Sequence, residues 1–219
     1  MPELKEYLTR WKDDYDFRTM VNATGSVLVT AIFALYNGFL GISHASAWHG
    51  GICIYYMLLI LIRGIVIFSE YSNARRGGIK AAEDRKRTFV SASALLLVMN
   101  LSLVAPFAMM VKQERPVSMT LVPAIAMAAY TVYKVTIAAM NLGTKNRSNN
   151  PLVWLLRRTN FMDALVSIAT LQNTLIMVNT AGNKMTMLPL TAISSGLIWT
   201  VIVSLSILNL VQTLKRPEN

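Results

Sequence analysis

Six long apolar runs constrain the fold of this chain more than any other feature of its sequence. They cover residues 21–43, 48–69, 89–111, 119–142, 161–178 and 189–214. A helix that crosses a bilayer core of about 30 Å needs about 20 residues at 1.5 Å per residue, and each run is near that length. The runs are continuous and lack the alternation of barrel strands. The sequence therefore predicts an all-α integral membrane protein with six transmembrane helices.

Basic residues are distributed unequally between the two sides of these helices. Sixteen Lys and Arg residues fall on the side of the two termini, and three fall on the opposite side. Because Lys and Arg near helix ends are retained in the cytoplasm, both termini are predicted to be cytoplasmic. The net charge of +10 has the same origin. It favours contact with anionic membrane lipids and argues against nucleic-acid binding.

The short loops, the clear charge asymmetry and the lack of a recognisable targeting peptide together favour a multi-pass protein of a bacterial plasma membrane. The chain divides into residues 1–20, predicted as an amphipathic helix at the membrane interface, and residues 21–219, the transmembrane domain. The apolar residues of the first segment recur at helical spacing and are Leu4, Tyr7, Leu8, Trp11 and Tyr15.

An internal period of about 70 residues is visible across the six predicted helices. Arg-Thr pairs open the odd-numbered helices at Arg18, Arg87 and Arg158. Short loops alone would also give three similar hairpins, but matched polar residues at the ends of the even-numbered helices favour triplication. We predict hairpin repeats at about 18–73, 87–144 and 158–214, related by a pseudo-threefold axis along the membrane normal.

Two basic residues lie inside the apolar runs, where an ionised side chain costs about 2.5–3.5 kcal/mol on insertion scales. Arg63 and Lys134 each lie about 10 Å from the cytoplasmic end of their helix, at 1.5 Å per residue. Long basic side chains at that depth can extend to the headgroups. Alternatively, both cations point inward, with Asp163 and Glu70 as counter-charges. Only the second arrangement forms a binding site.

Further polar groups on the predicted helices complete the candidate substrate site. They are Tyr56, Tyr130, Asn100 and Gln172. Any one of them alone fits an interhelical hydrogen bond. Together with two embedded cations, they favour a small anionic or zwitterionic solute as the ligand.

The first functional hypothesis is therefore a transporter or channel for a small polar solute. The second is a non-catalytic membrane subunit, sensor or assembly module that binds a membrane-protein partner or forms a homo-oligomer. The third is a lipid-modifying membrane enzyme, based on Asp13, Asp14 and Asp16. The sequence lacks H-E-x-x-H, G-x-S-x-G and paired intramembrane aspartates. It thus predicts no catalytic residues, no cofactor and no metal site.

Overall fold

The computed structural model describes residue 9, residues 11–106, residue 108, and residues 121–143, 150–179 and 188–215. These residues form long α-helices and no strands, which confirms the all-helical prediction. The helices are α1 (Tyr15–Ser43), α2 (Ala47–Arg76), α3 (Gly78–Ser102), α4 (Leu121–Gly143), α5 (Pro151–Asn179) and α6 (Leu188–Lys215).

Four helices in the described part of the chain are long and apolar enough to cross a membrane: α1, α2, α3 and α6. They indicate a multi-pass membrane protein. Helix α4 contributes a shorter apolar stretch, Ala124–Met140. Helix α5 carries several polar side chains, among them Asp163 and Gln172, and its position in the fold accommodates them. It packs against all five other helices, so most of its described side chains face protein and few need to be lipid-soluble.

Helix α1 starts at a capping residue, before the predicted boundary at residue 20. The Asp14 carboxylate accepts hydrogen bonds from the backbone N–H groups of Asp16 and Phe17, each at 3.0 Å. This satisfies two of the backbone donors that a helix start leaves open. The helix then continues unbroken to Ser43. The structure therefore places a break in the helix at Asp14, between the helical residues 11–13 and α1, while residues 1–8 and 10 lie outside its described part.

Helices α2 and α3 are longer than their apolar runs. Helix α2 has 30 residues, or about 45 Å at 1.5 Å per residue, against about 30 Å for a bilayer core. The two helices are joined at Gly77, whose φ of +62° lies in the left-handed region that favours glycine. The apolar run marks only the part of each helix that is compatible with lipid. The helix extends beyond that part because its backbone hydrogen bonds are local and do not require apolar side chains.

The packing of the helices differs from the predicted set of three hairpins. Helix α1 packs against α2, α2 against α3, and α5 against α6. Within the described residues, however, α3 and α4 do not pack together: α3 lies against α6, and α4 lies against α5. The expected second hairpin is therefore not a packed unit here. Within the described residues α5 is the central helix, and the proposed triplication with its pseudo-threefold axis stays a prediction.

Contacts between helices establish their relative directions. Helix α1 is antiparallel to α2, because Thr30 at the middle of α1 contacts Arg63, whereas Asn37, later in α1, contacts His49, which lies earlier in α2. Similar pairs make α2 antiparallel to α3, α3 parallel to α5, and α5 antiparallel to α6. We call the end where α1, α3 and α5 begin the basic end of the bundle.

Candidate functional site

Three charged side chains from three different helices meet in the interior of the bundle. Arg63 of α2 donates from Nη2 to Oδ2 of Asp163 at 2.9 Å, and Lys134 of α4 donates from Nζ to Oδ1 of the same carboxylate at 2.8 Å. The exposed fractions of these side chains are 1% for Arg63, 8% for Lys134 and 2% for Asp163. The structure therefore directs both cations into the interior of the bundle. We call these residues the charge cluster.

The spacing of polar residues on α5 explains how this helix reaches both cations. Asn160, Asp163 and Ser167 follow one another at intervals of three and four residues, which places them on one face of the helix. Asn160 Oδ1 accepts a hydrogen bond from Arg63 at 2.8 Å, and Ser167 Oγ accepts one from Lys134 at 3.0 Å. This face of α5 thus offers three successive groups to the two cations.

Helix α1 adds a further partner, and aromatic rings surround the ammonium group. Arg63 Nη1 donates to Thr30 Oγ1 at 3.2 Å. The Lys134 ammonium lies 4.7 Å from the ring centroid of Tyr130 and 5.4 Å from that of Tyr56. Such cation–π contacts stabilise a cation by about 0.5–2 kcal/mol when it is desolvated. They offset part of the cost of burying Lys134.

A cleft between α1, α2, α4 and α5 leads to the charge cluster. Its cavity volume is about 60 Å³, and its lining includes all three members of the cluster. One water needs about 10–15 Å³ of such volume, so the cleft has room for a few waters or one small solute. The other lining residues are Arg18, Thr19, Asn22, Ser26, Tyr130, Tyr133, Ile137 and Asn160. Arg18, Thr19 and Asn22 lie in the first turns of α1 and place polar groups toward the basic end.

The cluster carries one more positive than negative charge. Its two cations share one carboxylate, and no second carboxylate lines the described part of the cleft. Buried charges are stable only when they are paired and hydrogen-bonded. Near the cluster, Nε of Arg63 and the hydroxyl of Tyr55 are buried donors without a hydrogen-bond partner among the described residues. An anion that entered the cleft would meet excess positive charge.

Among the other predicted site residues, Tyr56 and Tyr130 lie beside Lys134, whereas three residues lie elsewhere. The Glu70 carboxylate pairs with Arg85 of α3 through two hydrogen bonds of 2.7 and 2.8 Å. The expectation that Glu70 is a counter-charge of Arg63 and Lys134 is thus corrected. The α2–α3 turn brings Arg85 within reach of Glu70, whereas Arg63 lies two helical turns away from it.

Asn100 and Gln172 lie at interhelical contacts away from the cluster. Asn100 donates to Ser206 Oγ at 2.8 Å and to Met162 Sδ at 3.4 Å, which joins α3 to α6 and α5. Gln172 donates to Ser194 Oγ at 2.6 Å and joins α5 to α6. The structure therefore places both amides in helix packing, and neither lines the cleft.

Sequence reasoning missed Thr30, Asn160 and Ser167, which complete the hydrogen bonding of the cluster. Asn160 and Ser167 carried a usable signal, because they lie three residues before and four residues after Asp163 on the same helix. Thr30 had no such signal, since only the packing of α1 against α2 brings it to Arg63. Of the aspartates behind the enzyme hypothesis, Asp14 caps α1.

Comparison of the chain with protein-family models, with curated proteins and with solved structures finds no match. The class of protein is therefore defined by the fold and the site: an all-helical chain with membrane-compatible helices and a buried charge cluster at a cleft.

Proposed function

We propose that this chain is a transporter for a small anionic or zwitterionic solute, which binds at the charge cluster. The observation that carries the proposal is the ratio of two buried cations to one carboxylate at the floor of a cleft. A structural ion pair between two helices needs one cation. Because desolvating a second one costs several kcal/mol, its presence at a cleft favours a ligand that supplies negative charge.

The helix arrangement supports a path for the solute along α4. In the described part of the chain, α4 packs closely only against α5. It meets α1 and α2 through side chains at the cluster, such as the stack of Tyr130 on Phe33, with ring centroids 4.8 Å apart, and the approach of Lys134 to Tyr56. A helix held mainly on one side can move with little repacking. We propose that movement of α4 opens the cluster to the other side of the membrane.

We further propose six membrane spans, both termini in the cytoplasm and a bacterial plasma membrane. The parallel course of α1, α3 and α5 supports this topology, because it brings Arg18, Lys80 and Arg157 to one end of the bundle. Helix α5 would be the central span, shielded from lipid by its neighbours.

Topology is testable with single cysteines in a Cys53→Ser background. His44 lies in the exposed α1–α2 turn, and Glu83 is exposed near the start of α3. In intact cells, a membrane-impermeant maleimide should label His44→Cys but not Glu83→Cys, and both should react after the cells are broken. The reverse pattern would refute the proposed orientation.

Ligand binding is tested by thermal unfolding of the purified protein in detergent with chloride, nitrate, formate, acetate, phosphate and glycine. A ligand at 100 times its Kd stabilises the folded state by about 2.7 kcal/mol if it binds only that state. We expect stabilisation by at least one anion or zwitterion and its loss in Arg63→Gln and Lys134→Gln.

Glu70→Gln is the matched control for this experiment, because it removes a charge from the same region of α2 but outside the cluster. It should keep the ligand response of the wild type. A response that is equal in all four proteins would place the binding site elsewhere, and the absence of any response would refute the proposed ligand class.

A partner-binding module is the second candidate, since α2 and α3 extend beyond the length of a bilayer core. Arg75, Arg76 and Lys80 are exposed on this extension, where they are suited to an acidic partner or to anionic lipid. Purification in mild detergent should then recover a stoichiometric complex that charge reversal of Arg76 and Lys80 disrupts. Recovery of the chain alone would favour transport.

A further inference from the structure

We propose that Asp163 is an exchangeable internal ligand, so that the site binds a small monocarboxylate together with one proton. This inference rests on the proposed function and names both the substrate class and the ion that is coupled to it.

The Asp163 carboxylate already occupies the position that a substrate anion would need. Its two oxygens are separately bonded, one by Arg63 at 2.9 Å and the other by Lys134 at 2.8 Å. The spacing of these donors therefore matches the two oxygens of one carboxylate. A second carboxylate can bind there only by sharing the two cations with Asp163 or by displacing it from them.

A second carboxylate competes with Asp163 for the same two cations, and a displaced Asp163 would be a buried anion without a partner unless it takes up a proton. Protonation of Asp163 also weakens its hold on Arg63 and Lys134, because a neutral carboxyl group pairs with a cation much less strongly than a carboxylate does. The cations are then available to the incoming anion. Addition of one proton and one monoanion leaves the charge of the cluster at +1, so the coupled step adds no net charge to the buried site.

In the part of the chain that the structure describes, the groups around Asp163 on the neighbouring helices supply no other carboxylate for this role. Helix α2 presents Arg63, Tyr55 and Tyr56, and α4 presents Lys134 and Tyr130; all three tyrosines interact electrostatically with Asp163.

Helix α1 contributes Thr30 to the cluster and Arg18 to the cleft. On the other side of α5, Met162 meets Asn100 of α3 and Ser206 of α6, and neither of these is titratable. Within the described residues, Asp163 is thus the acidic group placed to take the proton.

The size and lining of the cleft favour a short carboxylate. Its volume of about 60 Å³ accommodates a few heavy atoms. Arg63, which lines this cleft, also has a buried Nε donor without a hydrogen-bond partner among the described residues.

The test measures proton uptake and stabilisation together, with sodium formate and sodium acetate as probes. The purified protein is held in weakly buffered detergent solution with a pH indicator, and each salt is added at matched pH. We expect uptake of about one proton per protein as the salt binds. By linkage, the apparent affinity should fall by up to tenfold for each unit of rise in pH.

Two variants separate this inference from the proposed function. Asp163→Asn should bind the same salts with no proton uptake and no pH dependence, whereas Glu70→Gln should behave as the wild type. If Asp163→Asn does not fold, the number of protons that the wild-type protein takes up on binding the salt still tests the inference. Binding of a carboxylate without proton uptake would overturn the inference and leave the proposed function intact. Absence of binding by any anion or zwitterion would overturn both.

Discussion

The two sides of α5 place polar groups at the same depth of the bundle but differ in charge. Asp163 faces α2 and α4, where it binds two cations at the cleft. Met162, its neighbour in sequence, lies about 100° around the helix and faces a neutral set formed by Asn100, Ser206 and Trp199. We call this set the neutral cluster.

This difference distinguishes polar groups that serve helix packing from charged groups that are suited to ligand binding. The neutral cluster satisfies most of its polar groups internally: Asn100 donates to Ser206, and Trp199 donates to the backbone oxygen of Asn100 at 3.1 Å. Neutral hydrogen bonds join α3, α5 and α6 at little desolvation cost. The charge cluster joins its helices with groups that are far more expensive to bury and that keep an excess positive charge. Packing alone explains the first arrangement and does not explain the second.

The largest effect is expected from removal of the shared carboxylate. Asp163→Ala leaves Arg63 and Lys134 buried without a counter-charge and should destabilise the protein by about 3–5 kcal/mol. Thermal unfolding in detergent measures the loss. If Asp163→Ala loses no more free energy of unfolding than a neutral-cluster variant does, the expected difference between the two sides of α5 is wrong.

A smaller effect is expected from removal of one cation. Lys134→Met keeps the Arg63–Asp163 pair, loses the two hydrogen bonds of the ammonium group to Asp163 and Ser167, and removes the cost of burying the second cation. The expected loss is about 1–3 kcal/mol. The excess positive charge disappears in this variant. Anion-dependent stabilisation should therefore vanish from a protein that still folds, and its persistence would separate Lys134 from the binding site.

The neutral cluster should respond weakly and without an effect on binding. Asn100→Leu removes the bond to Ser206, and interhelical hydrogen bonds in membranes contribute about 0.6 kcal/mol on average. We expect destabilisation by about 0.5–1.5 kcal/mol and an unchanged response to anions. A lost anion response would extend the functional site across α5.

The smallest effect is expected at Glu70, whose pair with Arg85 is partly exposed to solvent, with side-chain exposed fractions of 13% and 28%. Glu70→Gln should change the free energy of unfolding by about 0–1 kcal/mol. Double-mutant cycles with Arg85→Gln would measure the coupling directly. A coupling as large as that between Lys134 and Asp163 would contradict the distinction drawn between exposed and buried pairs.

Part of the candidate site was predictable because burial of charge is costly wherever it occurs. Arg63, Lys134 and Asp163 stand out within apolar helices, and a cation at that depth requires a partner. The choice of partner was not predictable from proximity in sequence. Glu70 is seven residues from Arg63 yet pairs with Arg85, whereas Asp163 is 100 residues from Arg63 and binds it. Asn100 likewise has an amide group that suits ligand binding, but the fold places this residue in the packing between helices.

The sequence by itself determined the helices, because the hydrogen bonds of an α-helix are local and a continuous apolar run both forms a helix and requires a lipid-like environment. It also determined that two cations lie deep within them. Only the tertiary structure decided that α5 is central, that α4 packs against α5 and not against α3, and that both cations share Asp163. The physical reason is that lipid and protein are nearly equally apolar surroundings. Hydrophobicity alone therefore does not specify which helices become neighbours, and side-chain packing and polar contacts between distant residues make that choice.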